Sequence, residues 1–364
     1  MIDFRYHLVS LIAVFLALAV GIVLGAGPLR DTIGDTLTGQ VQDLREDRER
    51  LRGELEASEA DVTERTTYLE QSAGVLLEGT LTDQSVTVVT VPGTTADDVE
   101  AVRDRLAQAG AQVLGEVALT EAWTDPDNLT FRQTFAGQLL GYIDPAPGED
   151  AAVETIFGLA LAHALTDAGE DGAPTEDAAT LLDLLSSAEA PLVSMTTAPT
   201  GPADATVLIG PPAAAPPAPD ADPDDTDAAA AVLASYVRLA EALGVVAPAV
   251  TVGAAASDLD LVAAVRADAA AAETVTTVDS VGEVTATLST PLAVAVALSG
   301  GQGHFGFLDG AEQAVPPRVE LTPPAPEADA GATDPSAEAA DPSAEAADAA
   351  ETAATGVAAA RDAA

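Results

Sequence analysis

Three histidines, two methionines and no cysteine are what this chain offers for metal or acid–base chemistry. His304 lies in GQGHFG (residues 301–306), which fits G-x-G-x-x-G and follows an apolar run. A dinucleotide fingerprint needs a strand before it, a full helix after it and a second strand carrying an acid about twenty residues on. Pro316 and Pro317 arrive too soon for that helix and low-complexity sequence follows, so nucleotide binding is not expected. His304 is the foremost candidate among the histidines, and stabilising the Gly-rich turn is its simpler role. His163 falls one turn after Leu159 and two after Ile156, which predicts a packed, hydrogen-bonded core histidine. His7 sits at the edge of the apolar N-terminal segment, where an interfacial role is expected.

No two histidines have H-x-x-x-H spacing, and soft metals such as Cu(I) want thiolate or thioether ligands. Only Met1 and Met195 supply sulfur, so no metal-ligand set is identified. A G-x-S-x-G nucleophile elbow is absent as well. No catalytic residue and no cofactor are expected.

The elements around these residues say more. Residues 8–27 carry no charge, and at 1.5 Å per residue they reach about 30 Å, the thickness of a bilayer core. A secretory signal has an apolar region of about 7–15 residues and small residues before its cleavage site. This run is longer, and a cut after Ala26 puts Leu24 where a small residue is needed. The length favours a retained membrane anchor over a cleaved signal or a buried soluble helix. Leu8, Phe15, Leu16, Val20, Ile22 and Leu24 are its lipid-facing candidates. Arg5 precedes the span and Arg30 and Arg45 follow it, a slight bias. A single pass with the C-terminal part outside the cytoplasm is preferred.

Beyond the span, Leu37, Val41, Leu44, Leu51, Leu55, Val62, Leu69 and Leu76 recur at alternating spacings of four and three. Arg48, Ser58, Arg65 and Ser72 complete the register, and charges such as Glu46, Asp47, Glu49 and Arg50 lie off the seam. This heptad pattern predicts a coiled coil, either a homo-oligomer or paired with a partner helix. The alternative is one long amphipathic helix packed on its own domain.

From about Leu81 the period changes. SVTVVTV (85–91) closed by Pro92-Gly93 reads as a buried strand. ADDVEAVRDRLAQAG (96–110) reads as a helix with acids in its first turn and Gly110 at its C-terminal end. AQVLGEVAL (111–119) gives the next strand, and the βαβ unit predicts a parallel sheet with right-handed crossovers. Residues 129–190 read as mostly helical. A second alternating block follows, with strands at 205–210, 247–252 and 273–278 and helices at 228–243 and near 259–267. Residues 211–227, rich in Pro and Asp, read as a disordered surface loop.

The expected fold is α/β: an N-terminal transmembrane helix (1–29), a long coiled-coil helix (30–80), a parallel-sheet three-layer domain (81–315) and a disordered acidic tail (316–364). DPSAEAA occurs twice in that tail. A net charge of −45, with all fourteen basic residues arginine, repels phosphate and excludes nucleic acid as a partner. Solvation explains the acidity most simply, and a cation-collecting surface is the sharper alternative.

The stretch HLVSLIAVFLALAVGIVLGAG (7–27), then a coiled coil, then an α/β domain closing on GGQGHFG (300–306), resembles the actinobacterial MctB copper transporter family over about residues 1–310. The resemblance implies a membrane-associated protein of the cell envelope acting in copper efflux and homeostasis, with copper as transported ion, and marks Gly303, His304, Phe305 and Gly306 as a family-type turn. The residues themselves do not point to a channel: a transmembrane β-barrel needs many alternating strands with aromatic girdles. A non-catalytic scaffold of the envelope or of cell separation is the competing expectation.

Overall fold

The computed structural model describes residues 4–26, 29–148, 150–187, 190–213 and 222–321. The apolar run forms α1 (Phe4–Ala26), with every described side chain exposed. Next comes α2 (Leu29–Leu77), continuous over 49 residues, or about 73 Å at 1.5 Å each. The side chain of Leu37 lies outside the described residues.

The domain alternates as expected. β1 (Ser85–Thr90), α3 (Ala96–Gln108) and β2 (Gln112–Leu119) form the predicted βαβ unit, and β1 and β2 pair in parallel. Thr95 caps α3, its hydroxyl accepting from Asp98 N at 3.2 Å, and Asp97 and Asp98 complement the helix dipole. Gly110 ends the helix with φ +98°. α4 (Leu129–Leu139), α5 (Val153–Thr166) and α6 (Glu176–Ser187) fill the middle, followed by β3 (Val193–Thr197) and β4 (Ala205–Ile209). The chain continues through α7 (Pro223–Val246), β5 (Ala249–Val252), α8 (Leu261–Ala267), α9 (Ala269–Thr274), β6 (Thr276–Val278), α10 (Val284–Leu298) and β7 (His304–Phe305).

The seven strands lie in the order β3-β2-β1-β4-β5-β6-β7, parallel except for β3. The expectation of a parallel sheet is thereby corrected at one edge, where β3 runs antiparallel to β2. An edge strand has a single neighbour, so it can reverse without disturbing the βαβ units beside it. Two apolar layers enclose the sheet. One holds Trp123, Phe135, Phe157, Leu161 and Leu239 beneath α4 to α9. The other holds Val86, Val88, Leu106, Leu292 and Phe305 beneath α3, α10 and the end of α2. Helices on both faces explain why β1, β4 and β5 are buried without alternation, threonines included.

Three boundaries differ from the sequence reading. The strand expected at 273–278 starts only at Thr276, because Asp268 caps α9 through the N–H groups of Ala270 and Ala271 and that helix runs to Thr274. The loop expected at 211–227 yields to α7 at Pro223, because Asp222 caps it through Asp224 N at 3.1 Å and proline suits the first turn. The rest of that loop, 214–221, lies outside the described residues. α7 is long and apolar enough to cross a membrane. It instead bridges β4 and β5, hydrogen-bonded neighbours in one sheet, and buries Tyr236, Leu239 and Leu243.

The tail expected from Pro316 begins with packed residues. Val319 and Leu321 lie against the second apolar layer, and Arg318 donates to Leu76 O at 3.0 Å and Glu78 O at 2.7 Å. A guanidinium on the last carbonyls of α2 satisfies groups that the helix leaves open. Residues 322–364 lie outside the described ones. Arg318→Ala should lower stability by about 1 kcal/mol, read as a fall in the urea midpoint at unchanged slope.

The heptad stripe divides. Leu69 packs on the domain with Ala73 and Leu77, as the alternative of a helix on its own domain expected, while Leu76 turns outward. A straight helix repeats every 3.6 residues, so the domain-facing positions drift off the 3.5 register. Between Val41 and Val62 the seam is uncovered, from 40% exposed at Val41 to 67% at Leu44.

Candidate functional site: the Gly-His-Phe-Gly edge

The most densely bonded polar cluster surrounds His304. β7 is not a free turn but the last strand, pairing Thr277 with His304 and Val278 with Phe305. Phe305 is buried in the core. Gly303 lets its ring approach: a Cβ there would meet the ring at 2.6 Å. Gly306, at φ +136°, rests against the Asp279 carboxylate, where a Cβ would come within 2.0 Å of Oδ1. Both glycines are therefore needed for close approach and Gly306 also for its backbone.

Asp279 directly follows β6, with 1% of its surface exposed. Its Oδ1 accepts from Ser280 Oγ at 2.7 Å and Phe307 N at 3.0 Å; its Oδ2 accepts from Arg266 Nη1 at 3.0 Å and Leu308 N at 3.1 Å. Arg266, on α8, also donates from Nε to Thr277 Oγ1 at 3.0 Å, from Nη1 to Asp309 O at 3.0 Å and from Nη2 to Phe305 O at 2.9 Å. Burial pushes the Asp279 carboxyl up, yet the bonds from Phe307, Ser280, Leu308 and Arg266 outweigh it and hold it below its usual range.

Thr277 Oγ1 stands 3.0 Å from His304 Nδ1. Since Thr277 accepts from Arg266, donating its own proton to Nδ1 satisfies all three groups and leaves His304 neutral. Burial pushes the imidazole pKa down, the Arg266 charge adds to this, and Glu312 and the Ala272 carbonyl oppose them. In the unfolded chain histidine titrates near ~6.5. The folded state takes up that proton at lower pH, so stability is full above ~6.5 and falls as pH drops from there through the folded pKa. The thermal midpoint should decrease between pH 7.5 and 5, and His304→Gln should flatten that decrease. Loss of the Asp279 carboxylate lies in a separate, more acidic window, below its unfolded value near ~3.9.

Chemically the cluster is a clasp. Arg266 bonds through Nε, Nη1 and Nη2, and Asp279 accepts four bonds, so both side chains are held by partners within the domain. The sequence marks Gly303, His304, Phe305 and Gly306 but not Arg266, Thr277 and Asp279. The available signal is a lone arginine in an alanine-rich helix and an acid closing a β-branched strand.

The other candidates do not converge on it. His163 is buried and 2.9 Å from Asp167 Oδ2 through Nδ1, as a packed core histidine should be. His7 lies on α1 and Met195 is partly exposed on β3. Among the described residues no group of three or more His, Cys, Asp or Glu could hold a metal ion. Leu8, Phe15, Leu16, Val20, Ile22 and Leu24 are each more than half exposed on α1, which is apolar and long enough to cross a membrane.

The model of the family described as "Copper transport outer membrane protein, MctB" matches residues 1–316. The protein named Copper transporter MctB of Mycobacterium bovis is 34% identical over 128 residues, 35% of this chain and 41% of that protein. Its namesake in Mycobacterium leprae is 36% identical over 128 residues, again 35% of this chain and 40% of the relative. The aligned part therefore spans about two fifths of these relatives. The family match instead runs from α1 through α2 and the clasp to Pro316, and on that extent the chain belongs to the MctB family.

Proposed function

We propose that this chain is a membrane-anchored envelope protein acting in copper efflux and homeostasis, with copper as cargo and no resident cofactor. The observation that carries the reading is the family match across residues 1–316, anchor included. In it α1 stays uncleaved as a single pass, and α2 is a stalk that holds the α/β domain on the extracytoplasmic side. In this reading the fully bonded clasp holds the edge of the domain together, and no catalytic role is assigned to it. Deleting the gene should raise intracellular copper and copper sensitivity, and the full chain should restore both. Unchanged copper content in the deletion strain would overturn this reading.

The exposed stripe Val41–Val62 favours a second role beside it, that of an interaction scaffold for the envelope or for cell separation. An uncovered apolar seam on a helix in water is stable only when another helix covers it. That helix belongs to a further copy or to a partner. Deletion that alters cell separation while copper tolerance holds would select this role over transport.

A further inference from the structure

The stalk's stripe identifies its own partner class, an inference that rests on α2 being a stalk beside a membrane. At 3.6 residues per turn, Leu44, Leu51, Leu55 and Val62 lie within about 40° of Leu69 and Ala73 around the helix axis. Leu69 and Ala73 are already packed on the domain. The domain thus occupies the same line of the helix, just above the open part. A second copy pairing in register through Val41–Val62 would drive its own α2 into the space held by α3 and α10. Antiparallel pairing fails too, since it sends the two α1 segments to opposite ends.

Charge independently disfavours a second copy. In the heptad register Val41, Arg48, Leu55 and Val62 share one core position, with Leu44 and Leu51 on the other. Self-pairing in parallel sets Arg48 against its counterpart at a core position, and the attraction of Asp47 for Arg52 across the pair is offset by the repulsion of Glu54 and Glu59. The stripe is also polarised. Arg45, Arg48 and Arg52 outnumber Asp47 along its membrane end, and Glu54, Glu59 and Asp61 line its domain end, so the flanks run from net positive to net negative.

We infer that residues 41–62 dock an amphipathic helix of a different protein, acidic at its membrane-proximal end and basic at its distal end. The open stripe is about 32 Å long, six turns of helix, and the domain closes it above.

The chain has no cysteine, so introduced cysteines report cleanly. Three labelled 24-residue peptides are titrated onto the full chain in detergent. The first has a leucine seam with one acidic and one basic half, the second the same residues with charges interspersed, and the third copies residues 39–62. The charge-split peptide should bind at least tenfold tighter than either other. A cysteine at its acidic end should cross-link to the Val41→Cys chain and not to the Val62→Cys chain. Equal affinities, no binding, or cross-linking at Val62→Cys would overturn the inference. Disulfide-linked dimers of the Leu51→Cys chain in its own membranes would overturn it as well. None of these outcomes depends on copper content, so failure here and failure of the transport reading are separable.

Discussion

Asp279→Ala is expected to destabilise the α/β domain by about 3–5 kcal/mol. The substitution leaves the Arg266 guanidinium, 4% exposed at its side chain, buried without its counter-charge. It also strands the Phe307 and Leu308 N–H groups and the Ser280 hydroxyl that the carboxylate accepts from. Each orphaned buried donor costs about 1–3 kcal/mol, and the sum is limited by how far water reaches the loop once it loosens. Unfolding in urea can be followed through Trp123, the single tryptophan, which is fully buried against Phe157 on the opposite face of the sheet. The double variant Arg266→Met with Asp279→Leu should recover only the part due to the unpaired guanidinium, because the Phe307 and Leu308 N–H groups still lack their acceptor. A single variant within about 1 kcal/mol of the parent would show that the clasp does not hold this edge.

The second large effect concerns the membrane. Leu16→Arg together with Val20→Arg places two charges near the centre of α1, each costing about 2.5–3.5 kcal/mol on insertion. The pair adds about 6 kcal/mol, enough to remove the chain from the membrane fraction. Both side chains are exposed on a helix that contributes nothing to the domain core, at 66% and 51%, so the folded domain should keep its urea midpoint. Separation of these two readouts is the point of the variant: lost membrane retention with unchanged domain stability identifies α1 as anchor and nothing more. Retention of the doubly charged chain after carbonate washing would contradict that role.

How much of this could be read from residue order follows from the range of the interactions involved. The span and the βαβ unit are local: twenty uncharged residues, and a β-branched run followed by Asp97, Asp98 and Gly110, announce themselves within a window of one element. The heptad spacing of α2 is legible too, but what its apolar stripe packs against is not. Whether Leu69 meets another helix or its own domain depends on α3 and α10, separated from it by long stretches of chain. The antiparallel β3 escapes a sequence reading because VSMTT has exposed polar residues on an edge and no run of apolar ones. Pro223 reads as loop since its Asp-rich neighbourhood resembles a linker, although Asp222 before a proline is also a helix start. The clasp shows the limit most clearly. Gly303, His304, Phe305 and Gly306 stand out as a motif, yet their reason lies in Arg266 and Asp279, which arrive from other elements. Only folding brings that guanidinium and carboxylate under the glycine turn.

The proposed function has the α/β domain carried outside the cell on α2, with α1 in the membrane. Proteolysis of intact cells expressing the chain with a C-terminal epitope tests that description most directly. Added protease should destroy the epitope while a fragment containing α1 remains in the membrane pellet. An epitope that survives until the cells are opened, or a chain found free of the membrane and lacking α1, would contradict it.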